Sequence, residues 1–349
     1  MKTARWGKMK TVRLGKTGLE VSKIGIGGIP LTRPSEAEAV RVVQRALDLG
    51  VNFIDTAAGY TTSEERIGKA IAGRRDQVII ATKGGWDDKA MVVEHMERSL
   101  KRLNTNYIDL WQFHGVNSFE EYEHVLKPGG VMEAVQGALD KGKIRHIGLS
   151  SHSLEVAKRA VTSGHFETIL VPFNFVNNSA ADELVSLAHG HDVGFIAMKP
   201  FEGGMLDNAN LVFKYFMQFD NVVPIPGVEK VEEIEEIVGI VNGSWELTPQ
   251  ELQDMADIRA RMGSRFCRRC QYCMPCAQGV NIQPLMTLPA LWKLWPPERF
   301  LTWTFVSDTV KSAENCIQCG ECEAKCPYHL PIREMMTENI AFYERVTAA

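Results

Sequence analysis

From residue 11 onward, short apolar runs alternate with longer stretches whose apolar residues recur every three or four positions. TVRLGKTGLEVSKIGIGG, 11–28, reads as a β-hairpin feeding a first buried strand at 23–28. The same pattern predicts strands at 51–55, 77–83, 107–114, 144–151, 168–174, 193–199 and 221–227. Helical periodicity with charged faces lies between and after them, at 35–50, 63–73, 89–104, 131–143, 153–164, 181–190, 210–219 and 231–241. Several of these segments open on Ser, a good N-cap, and end near Gly, a good C-cap. Strict alternation of strand and helix implies a parallel sheet. Eight such units in about 240 residues fit a closed (β/α)8 barrel of the TIM type. The competing architecture is an open doubly wound sheet. It is weakened because GIGGIP, followed by Leu and Thr, does not give the GxGxxG that opens a helix after the first strand.

Residues 244–263 form one more amphipathic helix, with Thr248 at its N-cap. The character of the chain then changes. Every cysteine lies between 267 and 326, and Trp292, Trp295 and Trp303 fall within twelve residues. A domain boundary is expected near 263, with a barrel over 1–263 and a second, α-rich domain over 264–349.

Composition narrows the function classes. The chain has 349 residues, 45% hydrophobic and 23% charged, an ordinary soluble composition. A net charge of −4 and the lack of a basic stripe argue against nucleic acid as a partner. No apolar run approaches a membrane span. MKTARWGKMK is basic but leads into no apolar segment, so no secretion signal is expected; Met9 reads as an alternative start. The expected location is the cytoplasm.

A reducing compartment disfavours disulfides, and a large cysteine-free part must fold by packing alone. The eight cysteines stand in two runs: CRRCQYCMPC, with Cys267, Cys270, Cys273 and Cys276, and CIQCGECEAKCP, with Cys316, Cys319, Cys322 and Cys326 before Pro327. The second has the C-x2-C-x2-C-x3-C-P spacing of bacterial iron–sulfur ligand runs. Structural zinc usually takes two separated pairs of ligands, which dense runs of four fit poorly. The first run departs from the pattern, with two residues between Cys273 and Cys276 and Ala277 in place of Pro. The three tryptophans are expected to cover this region, a partner surface being the alternative.

In a (β/α)8 barrel, polar residues at the carboxyl ends of strands are the ones to suspect. Asp55 ends the second strand, Tyr60 follows it, Lys83 ends the third and His114 the fourth. Each alone has a bland explanation: an Asp capping a helix, a Tyr packed at a rim. Together they would project into one mouth.

The segments GVNFIDTAAGY, SEERIGKAI, VIIATKGG, SLKRLNTNYIDLWQFH and GKIRHIGLSSHS resemble the aldo-keto reductase superfamily, over residues 11 to 240. With the C-terminal cysteines, the whole chain resembles its ferredoxin-bearing branch. The resemblance implies a catalytic tetrad of Asp55, Tyr60, Lys83 and His114 and a nicotinamide cofactor, NADP or NAD. It places the cofactor against Gly27, Gly28, Ile29, Ser150, Ser151, Met198, Lys199, Pro200, Gly227 and Lys230. It also implies a small aldehyde, ketone or sugar substrate. Ferredoxin analogy implies two 4Fe-4S clusters with crossed ligands. One would take Cys267, Cys270, Cys273 and Cys326, the other Cys316, Cys319, Cys322 and Cys276.

Carbonyl reduction needs a hydride on carbon and a proton on the developing alkoxide. Tyr60 is the natural acid. An ammonium at Lys83 is expected to lower its pKa, with Asp55 holding that ammonium and His114 orienting the carbonyl oxygen. Trp86 would wall the pocket or anchor its loop. His189 and His191 suit a helix C-terminus, and His329 a structural role.

Several positions depart from the superfamily. Ser151 stands for Asn, Val171 for Gln and Met198 for the Tyr that stacks on nicotinamide. In PIPGVEKVEEIEE, Gly227 stands for a phosphate-binding Lys and Glu233 for an Arg, leaving Lys230 among acids. Acids suit a helix N-terminus in any case, but repulsion of a 2′-phosphate there also argues against an NADPH preference and opens the site to NADH. The clusters would be structural, or would exchange electrons with a ferredoxin or flavoprotein docked on Arg268 and Arg269. The alternative function is a redox-sensing or electron-transfer protein whose barrel binds cofactor without turnover.

Overall fold

The computed structural model describes residues 9–263 and 265–348; the basic start over 1–8 lies outside the described residues. The chain divides into two compact units, one ending at Leu247 and one beginning at Thr248.

In the first unit β1 (Thr11–Arg13) pairs antiparallel with β2 (Glu20–Ser22), giving the expected hairpin. Eight parallel strands follow: β3 (Ile26–Gly27), β4 (Phe53–Asp55), β5 (Ile79–Gly84), β6 (Ile108–Phe113), β7 (Ile144–Ser150), β8 (Thr168–Pro172), β9 (Gly194–Met198) and β10 (Val222–Pro224). Each lies within the stretch its apolar run predicts, apart from β5, which runs one residue further. Their spatial order is their chain order, so the reversal that defines a doubly wound sheet is absent from this sheet. The last strand returns to the first. Gly25 N–H donates to Pro224 O at 2.9 Å, Gly27 N–H to Pro226 O at 2.8 Å, and Gly27 bridges Gly227 in parallel. Closure is tight: a Cβ on Gly27 would lie 2.8 Å from Ile225 O, and one on Gly227 2.4 Å from Pro30 Cγ.

Strands covered inside and outside read as continuous apolar runs; all six residues of β6 are buried. Phe53, Ala81, Leu110, Leu170, Ile196 and Val223 fill the barrel interior together with Leu14 and Val21 of the hairpin. Gly15 bridges Val193 just ahead of β9, so the hairpin plugs the amino-terminal end. The carboxyl ends of the strands lie at the opposite end of the barrel.

The helices are α1 (Glu36–Asp48), α2 (Ser63–Ala70), α3 (Lys89–Leu103), α4 (Phe119–Leu126), α5 (Val131–Asp140), α6 (Leu154–Thr162), α7 (Leu184–Gly190), α8 (Ala209–Phe216) and α9 (Val231–Val241). Ser35 and Glu38 form a capping box on α1, and Ser153 caps α6. The pattern reading missed α4, although Ser118 and Glu121 form a capping box at its start.

The second unit is helical: α10 (Pro249–Gly263), α11 (Ile282–Leu285), α12 (Leu288–Leu294), α13 (Pro297–Thr302), α14 (Thr304–Ser312), α15 (Glu321–Ala324) and α16 (Ile332–Ala348). Thr248 and Glu251 cap α10 reciprocally, at 3.2 and 2.8 Å. Packing thus counts α10 with the second unit, while the change in composition comes after it. Val280, Leu285, Leu288, Phe300 and Leu330 make a core that includes Cys322 and Cys326. Trp292 packs edge-on to Phe300 at 5.2 Å and Trp295 to Trp303 at 5.7 Å. Trp292 and Trp303 lie against that core, and Trp295 is buried.

Candidate active site

The tetrad meets at the carboxyl ends of successive strands. Asp55 is the last residue of β4, Lys83 lies near the end of β5, and His114 directly follows β6. Lys83 Nζ donates to Asp55 Oδ1 at 2.5 Å and to Thr56 O at 2.6 Å. The same ammonium lies 5.3 Å from the centre of the Tyr60 ring. Tyr60 and His114 meet edge-to-face with centroids 5.8 Å apart. Asp55 and Lys83 are 3% and 2% exposed, whereas Tyr60 and His114 are half-buried at the rim. Trp86 Nε1 donates to His114 O at 3.0 Å, so Trp86 both anchors its loop and stands beside the tetrad.

Burial disfavours charge on Lys83, but Asp55 and then Tyr60 outweigh it and raise its pKa. Burial raises the Asp55 carboxyl against the pull of Lys83 and Gln112. The 2.5 Å contact to an ammonium favours the ionised pair. Tyr60 differs from the expectation. Burial pushes its phenol above the ordinary value, and the lowering by Lys83 offsets only part of this. The phenol therefore keeps its proton at neutral pH, which is what an acid needs before the reaction.

Burial, then Lys83 and His95, push the His114 imidazole down to about 3. It is neutral at physiological pH and can donate one N–H. The unfolded chain takes up this proton near 6.5 and the folded chain only near 3. Stability is therefore expected to be lost as pH falls through that window. A urea-midpoint series should show the loss, with a flatter profile for His114→Gln; identical profiles would contradict the neutral imidazole.

Three side chains missed by the sequence reading, Gln112 and Glu64 buried and Arg102 half-buried, support the tetrad. Gln112 Nε2 donates to Asp55 Oδ2 at 2.8 Å. Glu64 accepts from Thr82 Oγ1 at 2.7 Å, behind Lys83. Arg102 donates to Ala58 O at 3.0 Å and faces Glu64 and Glu65, tying down the loop that carries Tyr60. These partners are far apart in the chain, so only the fold brings them together.

The other rim positions are distributed around the same mouth. Gly27 ends β3, and Gly28 N–H donates to Asp55 O at 2.7 Å. Ile29 heads the short turn Pro30–Thr32. Ser150 ends β7, accepts from Gly115 N–H at 2.9 Å and donates to Phe113 O at 3.3 Å. Ser151 Oγ accepts from Ser153 N–H at 3.0 Å, a turn contact. Met198 ends β9; Lys199 follows at φ +59° with its Nζ 3.0 Å from His152 Nε2, and Pro200 is buried. Gly227 lies at the barrel seam. At the start of α9 the Glu233 carboxylate accepts from Glu229 N–H at 2.7 Å and Lys230 N–H at 3.2 Å. Lys230 is not the only cation there: Arg33 lies 3.6 Å from Glu229. His189 and His191 sit at the end of α7.

None of the eight cysteines of the second unit is in a disulfide. Cys267, Cys270, Cys273 and Cys326 line one shallow indentation, together with Tyr272, Met286 and Leu330. Arg268 stacks on Tyr328 at 3.9 Å. Cys276, Cys316 and Cys322 contact the core of this unit, and Cys319 is exposed. Among the described residues, no three His, Cys, Asp or Glu side chains are grouped as around a single ion. Burial, then Cys267 and Cys270, push the Cys273 thiol up to about 12.

The aldo/keto reductase family pattern matches residues 23–212. The chain belongs to the aldo-keto reductase family. A 4Fe-4S dicluster domain pattern matches residues 266–331. The aldo-keto reductase YhdN of Bacillus subtilis is 36% identical over 206 residues, 53% of this chain and 60% of that protein. The uncharacterized oxidoreductase YqkF of the same organism is 32% identical over 212 residues, 57% of this chain and 67% of that one. Among solved structures, the holo form of aldo-keto reductase AKR11C1 from Bacillus halodurans superposes with a TM-score of 0.62 at 26% identity, covering 72% of this chain and 96% of that one. This aldo-keto reductase is thus an oxidoreductase with a 4Fe-4S domain, and its described residues include no helix long and apolar enough to cross a membrane.

Proposed function

We propose that this chain reduces the carbonyl of a small aldehyde, ketone or sugar at the barrel mouth, with Tyr60 as general acid. The observation that carries the reading is the buried Asp55–Lys83 ion pair beneath the Tyr60 ring, beside a neutral His114. A nicotinamide, when bound, supplies the hydride to the carbonyl carbon. Gly27, Gly28, Ile29, Ser150, Ser151, Met198, Lys199, Pro200, Gly227 and Lys230 would hold it. They suit it in kind: Gly27, Gly28 and Gly227, the hydroxyls of Ser150 and Ser151, and Lys199 and Lys230 lie at or just after the ends of β3, β7, β9 and β10. His114 donates a hydrogen bond to the carbonyl oxygen and polarises it. Tyr60 gives its proton to that oxygen as negative charge develops there. Lys83 stabilises the phenolate left behind, and Asp55 keeps Lys83 charged and fixed.

NADH is the preferred donor in this reading. Glu233 already fills the anion position at the start of α9 with its own carboxylate, so a 2′-phosphate would meet repulsion. Glu233→Arg is expected to raise kcat/KM with NADPH about tenfold or more while changing the NADH value little. Steady-state kinetics with both donors test this, and a strong NADPH preference in the unaltered protein would contradict it.

The cysteines are assigned to two 4Fe-4S clusters. The indentation supports Cys267, Cys270, Cys273 and Cys326 as one ligand set, leaving Cys276, Cys316, Cys319 and Cys322 for the other. A cubane cluster, when bound, exchanges one electron at a time. The exposure of Cys319 and of Ile317, 65% exposed beside it, favours a second role in which this unit passes electrons to or from a ferredoxin or flavoprotein. Anaerobic purification, a visible spectrum and an aldehyde panel test the whole reading. Bound clusters with no carbonyl turnover would leave only the electron-transfer role.

A further inference from the structure

We propose that Gln112 is a positioning residue of the tetrad, holding Asp55 as a carboxylate turned toward Lys83. This rests on the reductase reading of that site. Gln112 and Lys83 are register partners on β6 and β5, and the Gln112 side chain is fully buried inside the barrel. Gly148, its register partner on β7, gives it room: a Cβ there would lie 3.1 Å from Gln112 Cγ.

The two oxygens of Asp55 take different donors. Oδ1 receives the Lys83 ammonium at 2.5 Å, and Oδ2 receives the Gln112 amide at 2.8 Å. Only the amide nitrogen can face Oδ2 without setting oxygen against oxygen. Gln112 Oε1, which has no hydrogen-bond partner of its own, is the cost of that orientation. The charged or titratable groups around Asp55 are Lys83 on β5, Tyr60 in the loop after β4, His114 after β6 and Glu64 on α2 behind Lys83. Gln112 is thus a neutral donor able to favour the ionised carboxylate without adding charge near the Tyr60 phenol. Without it, burial would drive Asp55 toward protonation. Lys83 would then lose the partner that fixes its ammonium under the Tyr60 ring.

Gln112→Met keeps the length and volume and removes the donor. The test is a carbon-13 titration of aspartate-labelled holoprotein, with the Asp55 signal assigned through Asp55→Asn. It is run beside the pH profile of kcat for 4-nitrobenzaldehyde with NADH. The Asp55 carboxyl is expected to titrate about one pH unit higher in Gln112→Met. The acid limb of kcat should move with it, giving about tenfold lower turnover on that limb, while the KM for NADH holds. If Gln112→Met fails to fold, Gln112→Glu keeps the shape. It should raise the Asp55 titration further, because two adjacent carboxyls share one proton. An unmoved Asp55 titration in the folded variant overturns the assignment. If the unaltered protein reduces no aldehyde, the reductase reading fails, while the titration still decides the role of Gln112.

Discussion

Tyr60→Phe is expected to lower kcat for carbonyl reduction by about 10²- to 10⁴-fold, the usual contribution of a positioned general acid. The change removes one oxygen and keeps the ring. The 5.3 Å ammonium–ring and 5.8 Å edge-to-face contacts can therefore persist, and the fold should hold. A thermal melt close to that of the unaltered protein, with turnover lost, separates chemistry from stability. Cofactor binding should change little, because the phenol acts on the substrate oxygen. Full activity in Tyr60→Phe would remove it from the acid role.

Cys326→Ser should have the second large effect. Cys326 is the one cysteine of the C-terminal run that lines the indentation with Cys267, Cys270 and Cys273. The substitution keeps the size and loses the soft thiolate. Anaerobically purified protein is expected to carry about eight irons, and Cys326→Ser about four, since one cubane holds four. Cys276→Ser should cost the other half, so the two variants would retain different paramagnetic signals on reduction. Cys326 also lies within the core of its unit, so loss of the cluster should lower the thermal midpoint of that unit. Iron near four in the unaltered protein, or unchanged in Cys326→Ser, would contradict two crossed ligand sets.

The barrel was legible because its strands are buried on both faces and bounded by capped helices. Phe53–Asp55 and Ile144–Ser150 lie inside runs that admit little else. Asp55, Lys83 and His114 could be grouped because strand ends in a closed barrel share one mouth. Four kinds of information were hidden. α4 is short and its cap sits next to a loop, so its eight residues did not stand out. Gln112, Glu64 and Arg33 look like ordinary strand, helix and loop residues until the fold supplies partners. The direction of the Tyr60 shift depends on how many atoms crowd the phenol, which no spacing records. The unit division before α10 likewise follows packing, while the change in composition follows the cysteines.

The account turns on hydride arriving at a carbonyl whose oxygen is protonated by Tyr60. Deuteride transfer reads this most directly: the protein, purified anaerobically, is incubated with 4-nitrobenzaldehyde and NADH deuterated at the reactive C4 position. The alcohol formed should carry one deuterium on its carbinol carbon, and Tyr60→Phe should yield almost none of it in the same time. Alcohol without deuterium, or the same labelled yield from Tyr60→Phe, would contradict the mechanism.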